Sequence, residues 1–590
     1  MIREMRIVAV GKSDGACGLK KSTRLEGTGL RHFILSAARL GGWAFVLAVA
    51  FAGPGQAQRA DSFDAVQIKR QIEDAKPARE ERQQDIKTET GVEPETVAPD
   101  DGVSFILGGV VVEGSSVFEP SRFTEFYTDL IARQVTSADI DRVAKAITEL
   151  YKQEGYVLTR AEVRPQEVAS GVLTIDVVEG YIAEVAIQGD GVDAARFQPY
   201  FAELVEERPT RLPTMERALY LTGDLPGYWV EKSTVTEGDA PGAYVLNVTV
   251  GHDAFDFYTY LDNRGTPESG RLESWTAVGA NDTLGLNERL QVGFFTNPLE
   301  PAEVLYGEFA WTQPVGNAGT VVTTTLSATE TDSGGSDRNL DLESKSRNAT
   351  LDVTHPLLRG AAHSIWATGS FDFLELREQQ RGVDNFDDQT RVLRAGLRYY
   401  GANRWSGDHF LQLEVSKGLE IFGSSETGDA NLSRADAEPD FTKVEFFGRR
   451  LQRIGNIFSV EVSGKAQWSD APVLTTEEFS LGGAAFGRAY DYGELEGEGG
   501  VAGLAEARVD LGQFVDFMSQ IQLYGFYDVG TVFRDNFQSD WESLSSAGAG
   551  LRLGAYGLYT DLQIAKPLTR RPSGQNNDDP RYMFSVSLGL

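Results

Sequence analysis

Apolar and polar residues alternate with a period of two in many short segments between residues 253 and 590. Because successive residues of a β-strand point to opposite faces, each segment presents one apolar wall and one more polar wall. One segment places Leu393 and Leu397 on the apolar wall and Arg394 and Arg398 on the other. Further charged residues occupy mid-strand positions of the polar walls, namely Glu461, Lys465 and Asp528.

Two kinds of all-β structure have such walls. A soluble sandwich or barrel buries its apolar faces, whereas a membrane barrel turns them to lipid and its polar faces to a wet lumen. The charged mid-strand residues favour an antiparallel transmembrane barrel over residues 253–590, with Leu393 and Leu397 facing lipid. Strands of about 10 residues plus connections give about 16 strands, with an error of about two. The alternation continues to Leu590, a position where such barrels usually carry an aromatic residue.

Residues 103–252 show a different pattern, in which strand and helix signals appear twice in the same order. Residues 103–179 carry a β-branched run at Val110–Val112, helical patterns over Ser121–Arg133 and from Ser137 to Tyr151, and strands Thr159–Arg164 and Gly171–Val178. We expect the Ser137 hydroxyl to cap the second helix. Residues 180–252 repeat the order with Ile182–Gln188, Asp193–Leu204, Thr214–Leu221, Tyr228–Val235 and Ala243–Val250. The pattern predicts two small α+β modules, 103–179 and 180–252.

Residues 58–102 form a charged and polar segment ahead of these modules. Ala65, Ile68, Ile72 and Ala75 recur at helical spacing and predict one helix over Asp64–Lys76, which Pro77 ends. The acidic, Pro-containing stretch Thr88–Asp101 is typical of a flexible tether. A disordered tail is the alternative interpretation of the whole segment.

Residues 1–57 are typical of an export signal. Arg31 and Arg39 precede an apolar run over Trp43–Ala52, and small residues follow up to a cleavage site after Ala57. The apolar run is about half of the ~20 residues that cross a bilayer, which disfavours a membrane anchor. Translation could also start at Met5 or later. Cleavage removes Cys17, the only cysteine, so we expect an exported protein without disulfides.

Charge and composition exclude several functions. The net charge of −32 disfavours a nucleic-acid partner, which needs a basic face. The four histidines after residue 57 show no metal-ligand spacing, and no Gly-x-Ser-x-Gly elbow is present. The acidic run Glu494–Glu498 is expected in a solvated loop. We therefore predict a protein that is not an enzyme and that has no catalytic residue, cofactor or metal.

Two sets of motifs point to a known family. The first comprises Tyr151-Lys-Gln-Glu-Gly155-Tyr156, Pro165-Gln166, Gly171-Val-Leu and Glu179-Gly180. It resembles the first POTRA (polypeptide-transport-associated) module of the two-partner secretion transporters, also called haemolysin activation/secretion proteins. The second comprises Leu261-Asp-Asn-Arg-Gly265-Thr266, Gly270-Arg271 and Asn281-Asp-Thr-Leu-Gly285. It resembles the opening hairpin of that family's barrel.

A third motif resembles the loop that family members fold back into the barrel. Leu481-Gly-Gly483 leads into Phe486-Gly-Arg488-Ala489-Tyr490, and Glu506 and Arg508 follow on the next strand. Arg488 and Tyr490 match the family's Arg-Gly-aromatic tip, whereas Ala489 departs from its Gly. The family's partner for the arginine matches Asp528 in Phe526-Tyr-Asp528-Val-Gly530. The resemblance therefore implies a lock between loop and barrel made by Arg488, Tyr490 and Asp528, with Gly525 and Gly530 giving the loop room.

The resemblance implies a pore in the Gram-negative outer membrane, in contact with its lipid, that recognises and secretes a partner exoprotein. The modules 103–179 and 180–252 would lie in the periplasm and bind the client, and the helix in 58–102 would plug the resting pore. We expect a monomer. The main alternative is an assembly factor that inserts other barrels, and a diffusion porin is a further one. Two modules and the opening hairpin favour secretion, while a porin gives no reason for the modules.

Overall fold

The computed structural model describes residues 104–168, 170–403, 405–534, 539–573, 575 and 577–590, together with Ile68, Gln71, Ile72 and Thr88–Thr90. The expected signal peptide 1–57 and most of the segment 58–102 lie outside the described residues. Thr88–Thr90 form a strand, β1. No helix in the described ranges is both long and apolar enough to cross a membrane.

The first module joins two small sheets to one long helix. β2 (Ser104–Ile106) pairs with β4 (Gln134–Thr136), while β3 (Gly109–Glu113), β6 (Val172–Val178) and β5 (Arg160–Glu162) form a sheet in the order β3-β6-β5. Helix α1 (Ser137–Gln153) buries Val143, Ile147 and Tyr151 against this sheet. The resulting apolar core belongs to this module alone.

The second module repeats the arrangement. Its elements are β7 (Tyr181–Gln188), α2 (Ala194–Phe197), α3 (Ala202–Glu206), α4 (Leu212–Gly223), β8 (Tyr228–Glu237) and β9 (Ala243–His252). The sheet order is β1-β8-β9-β7, so β1 adds a parallel strand to the outer edge of β8. Within the segment predicted to be a flexible tether, at least Thr88–Thr90 therefore form a β-strand.

Two details of the first module differ from the sequence predictions. The helix expected over Ser121–Arg133 is replaced by two 3₁₀ turns, Pro120–Phe126 and Thr128–Leu130, whose Phe123 and Leu130 enter the core. The cap of α1 is Thr136 rather than Ser137: the Asp139 carboxylate accepts the Thr136 backbone N–H at 2.9 Å. This hydrogen bond, together with one from the Thr136 hydroxyl, lowers the pKa of Asp139.

Sixteen antiparallel strands of the described chain form a closed barrel. Two further short strands, β21 (Phe479–Leu481) and β22 (Leu495–Gly497), pair with each other in the connection that follows β20. The barrel strands are β10 (Phe255–Asp262), β11 (Glu273–Asn281), β12 (Arg289–Thr296), β13 (Val304–Val315), β14 (Thr320–Asp332), β15 (Leu342–Arg359), β16 (His363–Gln380), β17 (Val383–Asn403), β18 (Gly407–Gly418), β19 (Thr442–Ile454), β20 (Phe458–Ser469), β23 (Gly499–Asp510), β24 (Gln520–Arg534), β25 (Ser539–Ala555), β26 (Leu558–Pro567) and β27 (Arg581–Gly589).

The two walls of the barrel strands point as the alternation predicts. Leu393 and Leu397 lie on the outside and are 51% and 49% exposed, whereas Asp528 lies inside and is fully buried. Arg394 also points inward and contacts Asp372 and Glu477. An apolar exterior and a charged interior are the arrangement of a barrel that sits in lipid. Pairing of β27 with β10 closes the ring.

Candidate functional site: the inward loop, the barrel wall and the docked modules

The connection between β20 and β23, residues 470–498, folds into the lumen, and we call it the inward loop. Phe479, Leu481 and Leu495 of its strands β21 and β22 are buried against Leu504, Phe526 and Leu544 of the wall. The apolar packing brings the tip of the loop to strands β23, β24 and β25. It places the tip residues Arg488, Ala489 and Tyr490 on the wall that carries Asp528.

The Arg488 side chain lies between two carboxylates. Its Nη1 donates to Glu506 Oε2 at 2.7 Å, while its Nε is 4.0 Å from Asp528 Oδ2. Its guanidinium also lies 4.4 Å from the centre of the Phe526 ring. Asp528 accepts the backbone N–H of Arg488 at 3.3 Å and a hydrogen bond from the Ser546 hydroxyl. Arg488 and Asp528 thus meet as the resemblance implies, but the closest ion pair of the arginine is with Glu506.

Glu506 is the centre of the charge network under the loop. Besides Arg488, its carboxylate accepts Arg508 Nε at 2.7 Å and Arg552 Nη1 at 2.7 Å. Because one buried carboxylate pairs with three guanidinium groups, its loss would remove the closest ion pair of Arg488 and weaken the pairing of Arg508 and Arg552, which keep Glu461 and Asp561. Glu506 is part of the third motif, but the resemblance assigned the partner role to Asp528. The signal was available, since the alternation in β23 places Glu506 on the inner wall.

Tyr490 anchors the other side of the tip. Its hydroxyl donates to the backbone oxygen of Ser545 at 3.1 Å or of Arg570 at 3.2 Å. The tight turn needs no glycine at position 489: the Tyr490 N–H donates to Gly487 O at 2.8 Å, and Gly487 supplies the positive φ of 91°. The fully buried Ala489 therefore fits this turn, although the family has Gly at the same position.

One of the two glycines expected to give the loop room does so. A Cβ on Gly530 would lie 2.7 Å from the Leu481 side chain of the inward loop. A Cβ on Gly525 would have Gly548 O at 3.8 Å as its nearest neighbour, in ordinary contact. Gly525 lies on the outward-facing register of β24, so the prediction was wrong for this residue.

The base of the inward loop is held by a second group of charges. Glu477 accepts Arg394 Nη2 of β17 at 2.6 Å and Lys443 Nζ of β19 at 2.7 Å. Arg434, in the connection between β18 and β19, donates to Glu478 at 2.8 Å and Glu498 at 2.6 Å. The expectation of a solvated acidic run was therefore wrong, because Glu494 and Glu498 are buried and paired.

The second module docks on the barrel through two bidentate ion pairs. Arg196 contacts Asp282 in the β11–β12 turn with both bonds at 2.6 Å, and Arg359 of β15 contacts Asp224 at 2.6 and 2.7 Å. Tyr228 adds a hydrogen bond to Asp282 at 2.7 Å. Burial opposes ionisation of Asp282, but the bonds from Arg196 and Tyr228 outweigh it and lower its pKa to about 2. The sequence alone gave no sign of these pairs.

The junction of the two modules uses the residues that carry the POTRA resemblance. The Tyr151 hydroxyl donates to Glu179 Oε1 at 2.9 Å, and the same carboxylate accepts the Ser116 N–H at 2.8 Å. Burial is the main cause that raises the pKa of Tyr151. At Gly180 a Cβ would lie 2.2 Å from Leu158 O, so only glycine fits. The spacing of the motif thus fixes how the chain passes from the first module to the second.

Two residues of the predicted plug helix lie inside the barrel. Ile68 and Ile72 are helical and buried in a cluster with Tyr260, Trp275, Phe295 and Tyr306 on the inner wall of β10–β13. The rest of Asp64–Lys76, apart from Gln71, lies outside the described residues. The inward loop packs on β23–β25 and this apolar contact on β10–β13, so they occupy different parts of the lumen wall.

A closed barrel with an apolar exterior, a loop folded inside it against charged wall residues, and two α+β modules, the second docked on the barrel, define the class of outer-membrane transporters with periplasmic modules. The profile of the POTRA domain, ShlB-type, matches residues 105–180, and that of the haemolysin secretion/activation protein ShlB/FhaC/HecB matches residues 243–553. The chain belongs to this haemolysin secretion/activation family. It is an outer-membrane translocation pore for a partner exoprotein, with its modules in the periplasm.

Relatives match over most of the chain. The heme/hemopexin transporter protein HuxB of Haemophilus influenzae is 22% identical over 94% of this chain and 98% of its own length. The hemolysin transporter protein HpmB of Proteus mirabilis is 21% identical over 81% and 85%. The structure of CdiB from Escherichia coli superimposes with a TM-score of 0.70 and 20% identity, covering 89% of this chain and 98% of that one. At this identity the structural match supports the fold.

Proposed function

We propose that the pore recognises its exported client by strand addition to the second module and releases it through the lumen when the inward loop moves. The division into modules 103–179 and 180–252, a tether and plug in 58–102 and a barrel from 253 underlies this proposal. In this proposal the chain acts as a monomer in contact with lipid. The proposal assigns it no catalytic step and no cofactor.

The observation that carries the recognition step is the added strand β1. Thr88, Glu89 and Thr90 pair in parallel with Ser233, Thr234 and Val235 of β8. This edge therefore accepts an extended peptide through backbone hydrogen bonds, the mode by which proteins capture clients by strand addition. Because β1 has three residues, a longer client strand would form more bonds and replace it. An unfolded secreted protein has the extended backbone that this edge requires.

A reversible cross-link tests the recognition step. Glu89→Cys with Thr234→Cys joins residues that are direct register partners, at the strand spacing that a disulfide spans. The remainder of the exported chain has no cysteine, so no other thiol competes. We expect the oxidised protein to lose client capture in a pull-down and to regain it with reductant. The single variant Glu89→Cys is the control, and full capture by the oxidised pair would contradict the proposal.

The loop lock is the second part of the proposal. Arg488, Tyr490 and Asp528 hold the inward loop in the lumen together with Glu506, and this position is needed for export. Arg488→Ala should sharply reduce secretion while leaving folded barrel in the membrane, as judged by heat-modifiable mobility. A variant that exports at the normal rate would remove the lock from the mechanism.

A further inference from the structure

The seam where the first and last barrel strands meet is incomplete at its extracellular end. Backbone pairing between β10 and β27 runs from Tyr258 opposite Gly589 to Asp262 opposite Ser585. β27 itself begins at Arg581, four residues nearer the extracellular end, where it is paired with β26. The outermost part of the last strand therefore relies on other contacts to stay attached to the first.

One of these contacts comes from Asn263, where the chain turns away from the seam. Its backbone N–H donates to Phe584 O at 3.3 Å, as in a regular ladder. Its side-chain oxygen accepts the Phe584 N–H at 2.8 Å, and its side-chain nitrogen donates to Tyr582 O at 3.0 Å. The Asn263 carboxamide thus takes the place of the backbone N–H and C=O groups that turn away from β27.

The other contact comes from the inward loop. Asp491, three residues after Arg488, lies at the extracellular end of the seam with its side chain 3% exposed. Its Oδ1 accepts Arg271 Nη1 at 2.6 Å and Arg581 Nη2 at 2.6 Å. Arg271 lies in the β10–β11 connection, whereas Arg581 begins β27. A single carboxylate of the loop therefore bridges the two sides of the seam.

The bridge depends on where the loop lies. Two guanidinium groups that share one carboxylate repel each other once that carboxylate leaves, and the largely buried Arg581 then loses its ion-pair partner. Arg488 ties the same short segment of the loop to Glu506 and Asp528. A displacement of the tip that breaks the Arg488 contacts therefore withdraws Asp491 from the seam as well.

We propose that Asp491 is a positioning residue that makes closure of the extracellular end of the β10–β27 seam depend on the inward loop. When the loop withdraws, the outer end of the seam is released and the exit of the pore widens on that side. The consequence for export rests on the proposed function. The dependence of the seam on Asp491 does not, because it concerns the transporter without a client.

Hydrogen–deuterium exchange of the full-length transporter in detergent micelles tests the dependence without any client. Asp491→Asn keeps the shape of the side chain and removes its charge. We expect amides of 581–585 and 257–264 to exchange roughly tenfold faster, because local opening becomes easier when buried charge-assisted hydrogen bonds are lost. Peptides from β16 to β18, on the far side of the barrel, should be unchanged.

A matched control separates the seam from the loop as a whole. Glu494→Gln removes another buried carboxylate of the same loop, which contacts Arg570 and Ser573 rather than the seam. It should leave exchange of 581–585 at the wild-type rate. Equal acceleration by Glu494→Gln, or no acceleration by Asp491→Asn, overturns the proposal.

A second set of variants covers the case in which Asp491→Asn does not fold. Arg581→Gln should reproduce the faster exchange, and Asp491→Glu should restore the wild-type rate. The double variant Asp491→Asn/Arg581→Gln should be no faster than either single variant, because both remove the same bridge. Additive effects would overturn the bridge. Faster seam exchange in an Asp491→Asn transporter that still exports at the normal rate would leave the bridge intact and count against the proposed role of the loop in export instead.

Discussion

Two elements inside the barrel are held there by different forces. The inward loop combines apolar packing on its wall with buried ion pairs centred on Glu506, and Arg434 and Glu477 hold its base. The helix that contains Ile68 and Ile72 lies on aromatic side chains of β10–β13. The first contact is directional and charged, whereas the second is apolar.

This difference indicates which of the two elements detaches from the lumen wall more readily. Removing one partner of a buried ion pair destabilises a protein by about 3–5 kcal/mol. The loop should therefore keep one defined position until its ion pairs break together. A buried isoleucine contributes about 1.5–3 kcal/mol and has no preferred direction, so a short helix detaches more readily. We therefore predict that the helix leaves the lumen more readily than the inward loop does.

The largest expected effect concerns the charged contact. Glu506→Gln should stop secretion and lower the thermal stability of the barrel more than Asp528→Asn does. The reason is distance: the Arg488 guanidinium is 2.7 Å from Glu506 and 4.0 Å from Asp528. We expect the difference between the two variants to reach about 2 kcal/mol of unfolding free energy, within the range for buried pairs. Secretion assays and thermal melts in detergent provide the comparison.

Glu461→Gln is the control for this prediction. It removes a carboxylate that pairs with Arg508 but not with Arg488. Its effect on secretion should be small. If Asp528→Asn proves more damaging than Glu506→Gln, the role of Glu506 as the centre of the network is wrong.

The apolar contact should break with a smaller change. Ile68→Asp places a charge against the aromatic wall and should shift the helix out of the lumen by roughly tenfold in population, as expected for one buried isoleucine. Planar-bilayer recordings should show a higher resting conductance, as should deletion of 58–87. Ile106→Asp, at an exposed site of the first module, is the matched charge control. Unchanged conductance in both the substitution and the deletion would exclude a plug.

Docking of the second module should show a pH dependence. The pKa of Asp282 is lowered from 3.8 to about 2, so its pair with Arg196 stabilises docking above pH 3.8 and is lost as the pH falls towards 2. Distances between spin labels on the module and on the barrel should broaden in that window. Asp282→Asn should remove this step and leave a broad distribution at neutral pH. A wild-type distribution that stays narrow at pH 2 would contradict the prediction.

The smallest effect is expected where the loop passes the wall. Gly530→Ala brings a methyl group to 2.7 Å from the Leu481 side chain, which can shift because its end is flexible. The cost should be about 1 kcal/mol, visible as a modest drop in melting temperature. Gly525→Ala, with its nearest neighbour at 3.8 Å, should have no effect. Leu481→Ala should remove the penalty of Gly530→Ala.

Sequence patterns were sufficient to predict the barrel and the two modules. Period-two alternation predicted the direction of Leu393, Arg394 and Asp528, because strand geometry fixes which face each residue takes. The same patterns failed over Ser121–Arg133, where apolar residues at irregular spacing serve two 3₁₀ turns. They also missed Thr136 as a cap, since the adjacent Ser137 is the better cap by residue type.

The sequence by itself determined the barrel, the modules and the residues that compose the loop tip, because each follows from local periodicity or from short motifs. Only the tertiary structure decided which carboxylate holds Arg488, that Glu494 and Glu498 are buried, and that Asp491 joins Arg271 to Arg581. These pairs join residues from distant parts of the chain. Their partners are chosen by distances of a few ångströms across the closed lumen, which no one-dimensional spacing encodes.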